Sequence, residues 1–353
     1  MKVAVIADTH WGVRNDSVHF MDMSKNFLDN VFFPKIREHG VKQIVHLGDL
    51  VDRRKYINIQ TANRLRRDFL EPIKDQGLEL HMILGNHDVY YKNTNAVNAI
   101  QELCDESVKF YQNATEVLLN EETPVLFVPW ICAENRQHSM EMISNSKSTI
   151  CMGHLELQGF EMFRGSICSH GDDRTIFDKF HMVLSGHFHH RSTDGHIVYT
   201  GSHGQFTWSD YDDSRGFHLL DLETKELTFI ENPYIMFSKA WYDDSTSTLE
   251  TILDYDFLKH KGTYVKVVVK NKSNPFWFDK FCEQIEKVGI LNLQIVEDHL
   301  NLNLEEDSEI VSEAESTLSI FMKHIGQVNS PNLNKEKLER VIVDLYNRAL
   351  TVE

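Results

Sequence analysis

The chain is 353 residues long, 41% hydrophobic and 25% charged, which is the composition of an ordinary globular protein of two or three domains. Its formal charge of −17 repels phosphate backbones, so nucleic-acid binding by bulk charge alone is excluded unless positive charge is concentrated or imported. No run approaches the ~18 apolar residues of a membrane span, and the N-terminal apolar stretch meets Asp8 too soon for a secretion signal, so a cytoplasmic protein is expected. The five cysteines include no C-x-x-C pair, which argues against a disulfide framework and against a structural zinc site.

Read from the N-terminus, Val3 to Ala7, Gln43 to Leu47 and Leu78 to Leu84 are predicted strands, and 24–38 and 59–76 predicted helices. Alternation of that kind gives the α/β class with a largely parallel sheet. Further strands are expected at Val125 to Val128, Thr149 to Met152, Met182 to Leu184, Ile197 to Tyr199, Gly216 to Leu222 and Leu227 to Glu231, with helices thinning out after about residue 146. Residues 233–300 change pattern: a strand at Tyr264 to Val269, a helix at Phe276 to Val288 opening after Pro275, and a strand at Leu293 to Val296 predict a small separate α/β domain. An acidic linker follows at 301–312. Ser312 and Glu315 then fit a capping box, with Leu318, Phe321, Met322 and Ile325 on one stripe. A second amphipathic helix follows Pro331 and aligns Leu338, Val341, Ile342, Leu345, Ala349 and Leu350. The two helices in 313–353 either pack back on the body or dock in a groove of another protein.

Five short motifs each end an apolar strand-like run: Asp8-Thr9-His10, Gly48-Asp49-Leu50-Val51-Asp52, Gly85-Asn86-His87-Asp88, Gly153-His154 and Gly186-His187-Phe188-His189. Strand ends are where α/β sheets build their sites. Side chains two apart on extended backbone point the same way, so Asp8 with His10, and His187 with His189, are each expected to converge on one point. Carboxylate, amide oxygen and imidazole without thiolate form a donor set suited to Mn²⁺, Fe²⁺, Mg²⁺ or Zn²⁺ in a catalytic role. Two such ions need a shared carboxylate, and Asp49 is the candidate bridge. His46 and His81 lie inside strands and read as core residues; His170, His190, His196 and His203 carry no comparable spacing. Arg53, Arg54 and Lys55, with Arg64, Arg66 and Arg67 beyond, make the densest basic stretch, read either as a solvated helix face or as a phosphate-contacting rim.

Together the five motifs resemble the signature of the calcineurin-like metallophosphoesterases. Trp11-Gly12 after the first motif, the small domain and the terminal helices are similar to the SbcD-type DNA repair nuclease subunits, of the kind found in T-even phage recombination nucleases. The resemblance implies a metallophosphoesterase β-sandwich with flanking helices over 1–232, a small α/β capping domain that binds DNA over 233–300, and C-terminal partner-binding helices. It implies that Asp8, His10 and His189 hold one divalent ion, that Asn86, His154 and His187 hold another, and that Asp49 bridges them, with Mn²⁺ the leading ion and Mg²⁺ the alternative. His87 would stand beside the scissile phosphate, oriented by Asp88. Some branches of the nuclease family have a second histidine where this chain has Asp52, for which a structural role is the favoured reading. The partners implied are DNA ends and hairpins, a second copy of the chain and an SMC-like ABC ATPase of the SbcC type, gripped through Leu338, Ile342 and Leu345. Two rivals remain open: a phosphoesterase acting on phosphoproteins or nucleotides, and a non-catalytic scaffold for an ATPase partner.

Overall fold

A computed structural model describes residues 1–297; the predicted linker and terminal helices lie outside the described residues. Two six-stranded sheets form the body. The first is built from β1 (Lys2–Ile6), β2 (Gln43–His46), β3 (Glu79–Ile83) and β4 (Val108–Tyr111), all parallel, and the second around β5 (Thr115–Leu119), β6 (Thr123–Val128) and β7 (Ile150–His154). A small hairpin, β8 (Glu161–Phe163) with β9 (Ser166–Ile167), precedes β10 (Met182–Gly186), β11 (Ser192–Thr193) and β12 (Ile197–Tyr199). The chain then returns to the first sheet as β13 (Gly216–Asp221) and β14 (Leu227–Glu231). The sheet orders are β14-β13-β1-β2-β3-β4 and β11-β12-β10-β7-β6-β5.

Burial on both faces explains why the central strands read as continuous apolar runs. Val3, Val5, Val45, Leu47 and Ile83 of the first sheet pack against Val125, Phe127, Ile150, Met152 and Leu184 of the second. The alternate residues Ala4, Ile6, Ile44, Leu80 and Met82 face the helices. Helix α1 (18–38) lays Phe27, Leu28, Phe32, Phe33 and Ile36 on that face, and α2 (59–75) adds Leu65, Phe69 and Ile73. Each helix contains a proline, Pro34 or Pro72, and each widens into a π turn just before it, at Leu28–Phe32 and Arg66–Leu70. Proline lacks the N–H for an i−4 bond and its ring crowds that carbonyl, and a π turn accommodates both defects without breaking the helix. On the outer face of the second sheet, α3 (Arg136–Asn145) contributes Ile143 to a cluster with Leu126, Val128, Cys151, Val183 and Tyr199.

From residue 237 a third, parallel sheet forms in the order β15-β16-β17, from β15 (Phe237–Asp243), β16 (Tyr264–Asn271) and β17 (Asn292–Glu297). Helix α4 (Pro275–Lys287) covers it with Phe278, Phe281 and Ile285, which meet Ala240, Tyr242, Val265, Val267 and Val269. Phe237 packs with Phe20, Met23, Phe206, Trp208 and Met236, so this unit sits against the start of α1 and the loop before β13. Among the described residues no helix is long and apolar enough to cross a membrane.

Candidate metal centre

All five motifs fall at the C-terminal ends of parallel strands: β1, β2 and β3 in the first sheet, β7 and β10 in the second. Backbone bonds zip the first two loops together, with the N–H groups of Asp8, His10 and Trp11 donating to the carbonyls of Gly48, Asp49 and Leu50 at 3.0, 3.1 and 2.9 Å. His46, buried at the end of β2, contacts the Thr9 hydroxyl at 2.9 Å and so steadies the turn between Asp8 and His10.

Three donor clusters result, one of which, His10 with Asp52 and His87, shares His10 with the first of the two expected ligand sets. Asp8, His10 and His189 bring one ligand atom each within 4.8 Å of one another, and so do Asp49, His154 and His187. Asp49 lies between them: its Oδ2 is 3.6 Å from His10 Nε2 and 3.4 Å from His154 Nε2. Asn86 Oδ1 joins the second cluster, 3.0 Å from His154 Nε2 and 2.9 Å from His187 Nδ1. Asp8, His10, Asp49 and His154 are all buried.

The convergence of Asp8 with His10 does not come from extended backbone. Both residues lie past the end of β1 in the left-handed region, at φ 51° and 43°, as do Asp49 at 55° and His187 at 89°. Nor do His187 and His189 share a point, since each serves a different cluster. The outward turn at His187 separates them, and its N–H is held by the Asp8 carboxylate at 3.0 Å.

Asp88 differs from its expected role of orienting His87. Its buried carboxylate accepts the N–H groups of Asp49, Leu50 and Gly85 at 2.8 Å each and of Val51 at 3.2 Å, locking the second and third loops together. His87 is held instead by the Asp52 carbonyl, 2.6 Å from its Nδ1, and by its own N–H donating to Asp49 Oδ1 at 2.7 Å. Asp52 also places a carboxylate oxygen 3.6 Å from His10 Nδ1. The basic stretch is partly committed elsewhere, because Arg53 pairs with Asp16 at 2.8 Å and lies over the Tyr56 ring; Arg54 and Lys55 line the neighbouring cleft with Tyr56 and Tyr90.

The residues fit divalent-metal binding. His10 and His189 point their Nε2 atoms at each other across 2.9 Å, and buried His10 Nδ1 has no hydrogen-bond partner. His154 meets the Leu47 carbonyl through Nδ1 at 2.7 Å, which orients the ring and turns Nε2 toward Asp49. Burial, reinforced by neighbouring histidines, pushes His10 well below the usual imidazole range and His187 down to about 3; burial likewise lowers His189 to about 4. These three rings are therefore neutral near pH 7, the state a ligand requires. Burial acts to raise Asp49, but His154 and His10 overcome it and hold the carboxyl well below its usual range. Burial likewise opposes the charged form of His154, yet Asp49 and Asp8 raise it to about 9.

Two neighbours were not signalled by the motifs. Trp130 packs its ring 5.2 Å from His187, and Glu156 places Oε2 3.8 Å from His187 Nε2. Neither sits in a spacing that sequence reading recognises; being a few residues beyond a strand end is the only hint.

Residues 1–191 match the family model for calcineurin-like phosphoesterases. Over 355 aligned residues, covering 100% of this chain and 99% of the relative, the sequence is 30% identical to exonuclease subunit 1 of enterobacteria phage T4. It is 24% identical to the SbcD component of the SbcCD nuclease of Staphylococcus saprophyticus over 78% of this chain and 79% of that one. The corresponding Staphylococcus epidermidis protein is 28% identical over 49% of this chain and 41% of its own length.

Proposed function

The chain belongs to the calcineurin-like phosphoesterase family, and from that premise we propose that it is the nuclease subunit of an SbcCD-like complex, a divalent-metal DNA phosphodiesterase that processes ends and hairpins in repair and recombination. The observation that carries the reading is the Asp49 carboxylate lying between two O/N clusters, at 3.6 and 3.4 Å from an imidazole of each. Asp8, His10 and His189 would hold one ion and Asn86, His154 and His187 the other, with Asp49 shared between them. Mn²⁺ is the leading candidate and Mg²⁺ the alternative, both compatible with sulfur-free donors. Two divalent ions in such a site supply Lewis acidity toward the phosphoryl oxygens and lower the pKa of water.

The chain's own residues do the rest. Asp49 and Asp8 set the spacing of the clusters, and Asp49 also fixes the His87 backbone. With Nδ1 of His87 engaged by the Asp52 carbonyl, Nε2 is the atom left to hold a proton for the departing oxygen. Arg54 and Lys55, with Arg53 behind them, offer positive charge to the DNA backbone beside the second motif. Exposed Tyr56, Ile59 and Val97 give a second copy an apolar surface and support a homodimer. Residues 233–300 serve as the DNA-binding cap, and 313–353, through Leu338, Ile342 and Leu345, grip a coiled-coil ATPase in the cytoplasm.

Two experiments test this. With Mn²⁺ the full chain should cleave a short DNA duplex, and His87→Ala should lower kcat by roughly 10²- to 10⁴-fold with bound metal unchanged. Hydrolysis of phosphoproteins or nucleotides without DNA cleavage would instead support the phosphatase reading, and inactivity with full metal loading the scaffold. Removing 301–353 should abolish co-purification with a coiled-coil ATPase and spare hydrolysis of a small aryl phosphodiester; a complex that survives the truncation contradicts the docking role.

A further inference from the structure

Next to the second donor cluster the chain doubles back on itself. Residues 155–160 leave β7, and 168–172 return alongside them after the β8-β9 hairpin. Backbone bonds hold the two segments together: Gly159 and Asp172 donate to the carbonyls of Cys168 and Glu156 at 2.9 and 2.8 Å, and Cys168 and Gln158 donate to those of Phe160 and Asp172 at 2.8 and 3.1 Å. Gly171 makes the close crossing possible, since it sits at φ +94° and a side chain there would collide with the Glu156 carbonyl.

On this frame Glu156, Cys168 and His170 each turn one ligand atom toward a common point, all within 4.8 Å of one another. His170 Nε2 is already 2.7 Å from Glu156 Oε1, and the His170 side chain is 66% exposed, giving an ion a path from solvent. Cys168 is buried, with the sulfur 3.1 Å from the His170 carbonyl. We propose that these three side chains form a further metal site, separate from the seven donors above, for a borderline transition-metal ion of the Zn²⁺ class.

The donor chemistry selects the ion. Thiolate, imidazole and carboxylate favour Zn²⁺ or Co²⁺ over Mg²⁺ or Ca²⁺, and three protein ligands leave a fourth position open to water. The dinuclear centre contains no sulfur, so the two places differ in which ion they prefer. Glu156 stands between them: one oxygen meets His170 and the other faces His187 at 3.8 Å. A cation held here therefore sits against the arm that carries a ligand of the centre. The proposal is independent of whether the centre cleaves DNA.

Cobalt distinguishes the sites, because only a thiolate ligand gives a near-ultraviolet sulfur-to-cobalt charge-transfer band. Titration of the metal-free full-length protein with Co²⁺ should produce that band with one-equivalent stoichiometry. Cys168→Ser should abolish it while Co²⁺ bound at sulfur-free donors remains. His170→Gln, at an exposed position where folding is not at stake, should shift the band's midpoint to at least about tenfold higher Co²⁺. No band in the wild-type protein, a band that persists in Cys168→Ser, or an unshifted midpoint in His170→Gln would overturn the site.

Discussion

Asp8, His10, Asp49 and His187 all take positive φ, a conformation that costs a non-glycine residue on the order of 1–3 kcal/mol and persists only where its surroundings over-determine it. Here the surroundings are identifiable: the zipped loops 8–11 and 48–51, and the Asp88 carboxylate with its four N–H donors. An amide at 88 would turn an NH₂ toward N–H groups that need an acceptor, and an unsatisfied buried donor costs about 1–3 kcal/mol. Asp88→Asn should therefore destabilise the protein by about 2–4 kcal/mol in urea unfolding and weaken metal binding by calorimetry. A variant matching wild type in both would mean that the carboxylate is dispensable to the loops. At this scale the identities of the chemistry-bearing residues were legible because D-x-H, G-D-x-x-D, G-N-H-D, G-H and G-H-x-H, each weak alone, follow in one order at successive strand ends. How they converge was not, since a left-handed turn at Asp8 or His187 leaves no mark in the string, and Asp88 reads the same whether it orients a ring or caps a loop.

The loops between strands carry the next constraint. Gly48 and Gly85 touch back to back behind Asp49: a Cβ on Gly48 would lie 2.6 Å from His154 Nδ1 and 2.7 Å from the Gly85 nitrogen, and one on Gly85 would run into the Asp49 carboxylate and its backbone nitrogen. Gly85→Ala must therefore displace the Asp49 carboxylate, and its expected effect is loss of metal loading, read by metal analysis of the purified protein, with most of the fold's circular dichroism kept. Full loading in the alanine variant would show that Asp49 has freedom to move. The central strands were legible because burial on both faces makes them uninterrupted apolar runs. β5 was not, because its residues alternate between half-buried and exposed, and β15 was not, because Ser238, Lys239 and Asp243 interrupt its apolar residues. Helix α1 begins at Val18, earlier than the predicted 24, because the first turns bury Phe20, Met21 and Met23.

Charge and protonation act on the molecule as a whole. His46, His203 and His218 are buried, and burial lowers each to about 3. Unfolded, they titrate near the ordinary imidazole value of 6.5. Below that pH the unfolded chain takes up protons that the folded one refuses, so their contribution is fully present above about 6.5 and is lost as pH falls toward 3, by up to about 1.4 kcal/mol per pH unit for each ring. His154, raised to about 9, and the carboxyls of Asp8 and Asp88, raised by burial (Asp88 to about 7), act in the opposite sense, against six lowered rings once His10, His187 and His189 are added. The melting temperature should accordingly fall between pH 7.5 and pH 5, and a flat profile across that interval would contradict neutral burial of these rings. The −17 charge, which at first set the protein against DNA, is a property of the chain as a whole, whereas the surface beside the second motif concentrates Arg53, Arg54 and Lys55.

The seven donors of the centre come from both halves of the sandwich: Asp8, His10, Asp49 and Asn86 follow strands of one sheet, and His154, His187 and His189 end or follow strands of the other. Neither sheet alone can assemble even one of the two clusters, because each cluster draws on both. A nascent or damaged chain in which one half is misfolded is therefore chemically silent. For a member of the phosphoesterase family, that interlock works as a safety catch: those two metal-binding clusters appear only once both sheets have been built correctly.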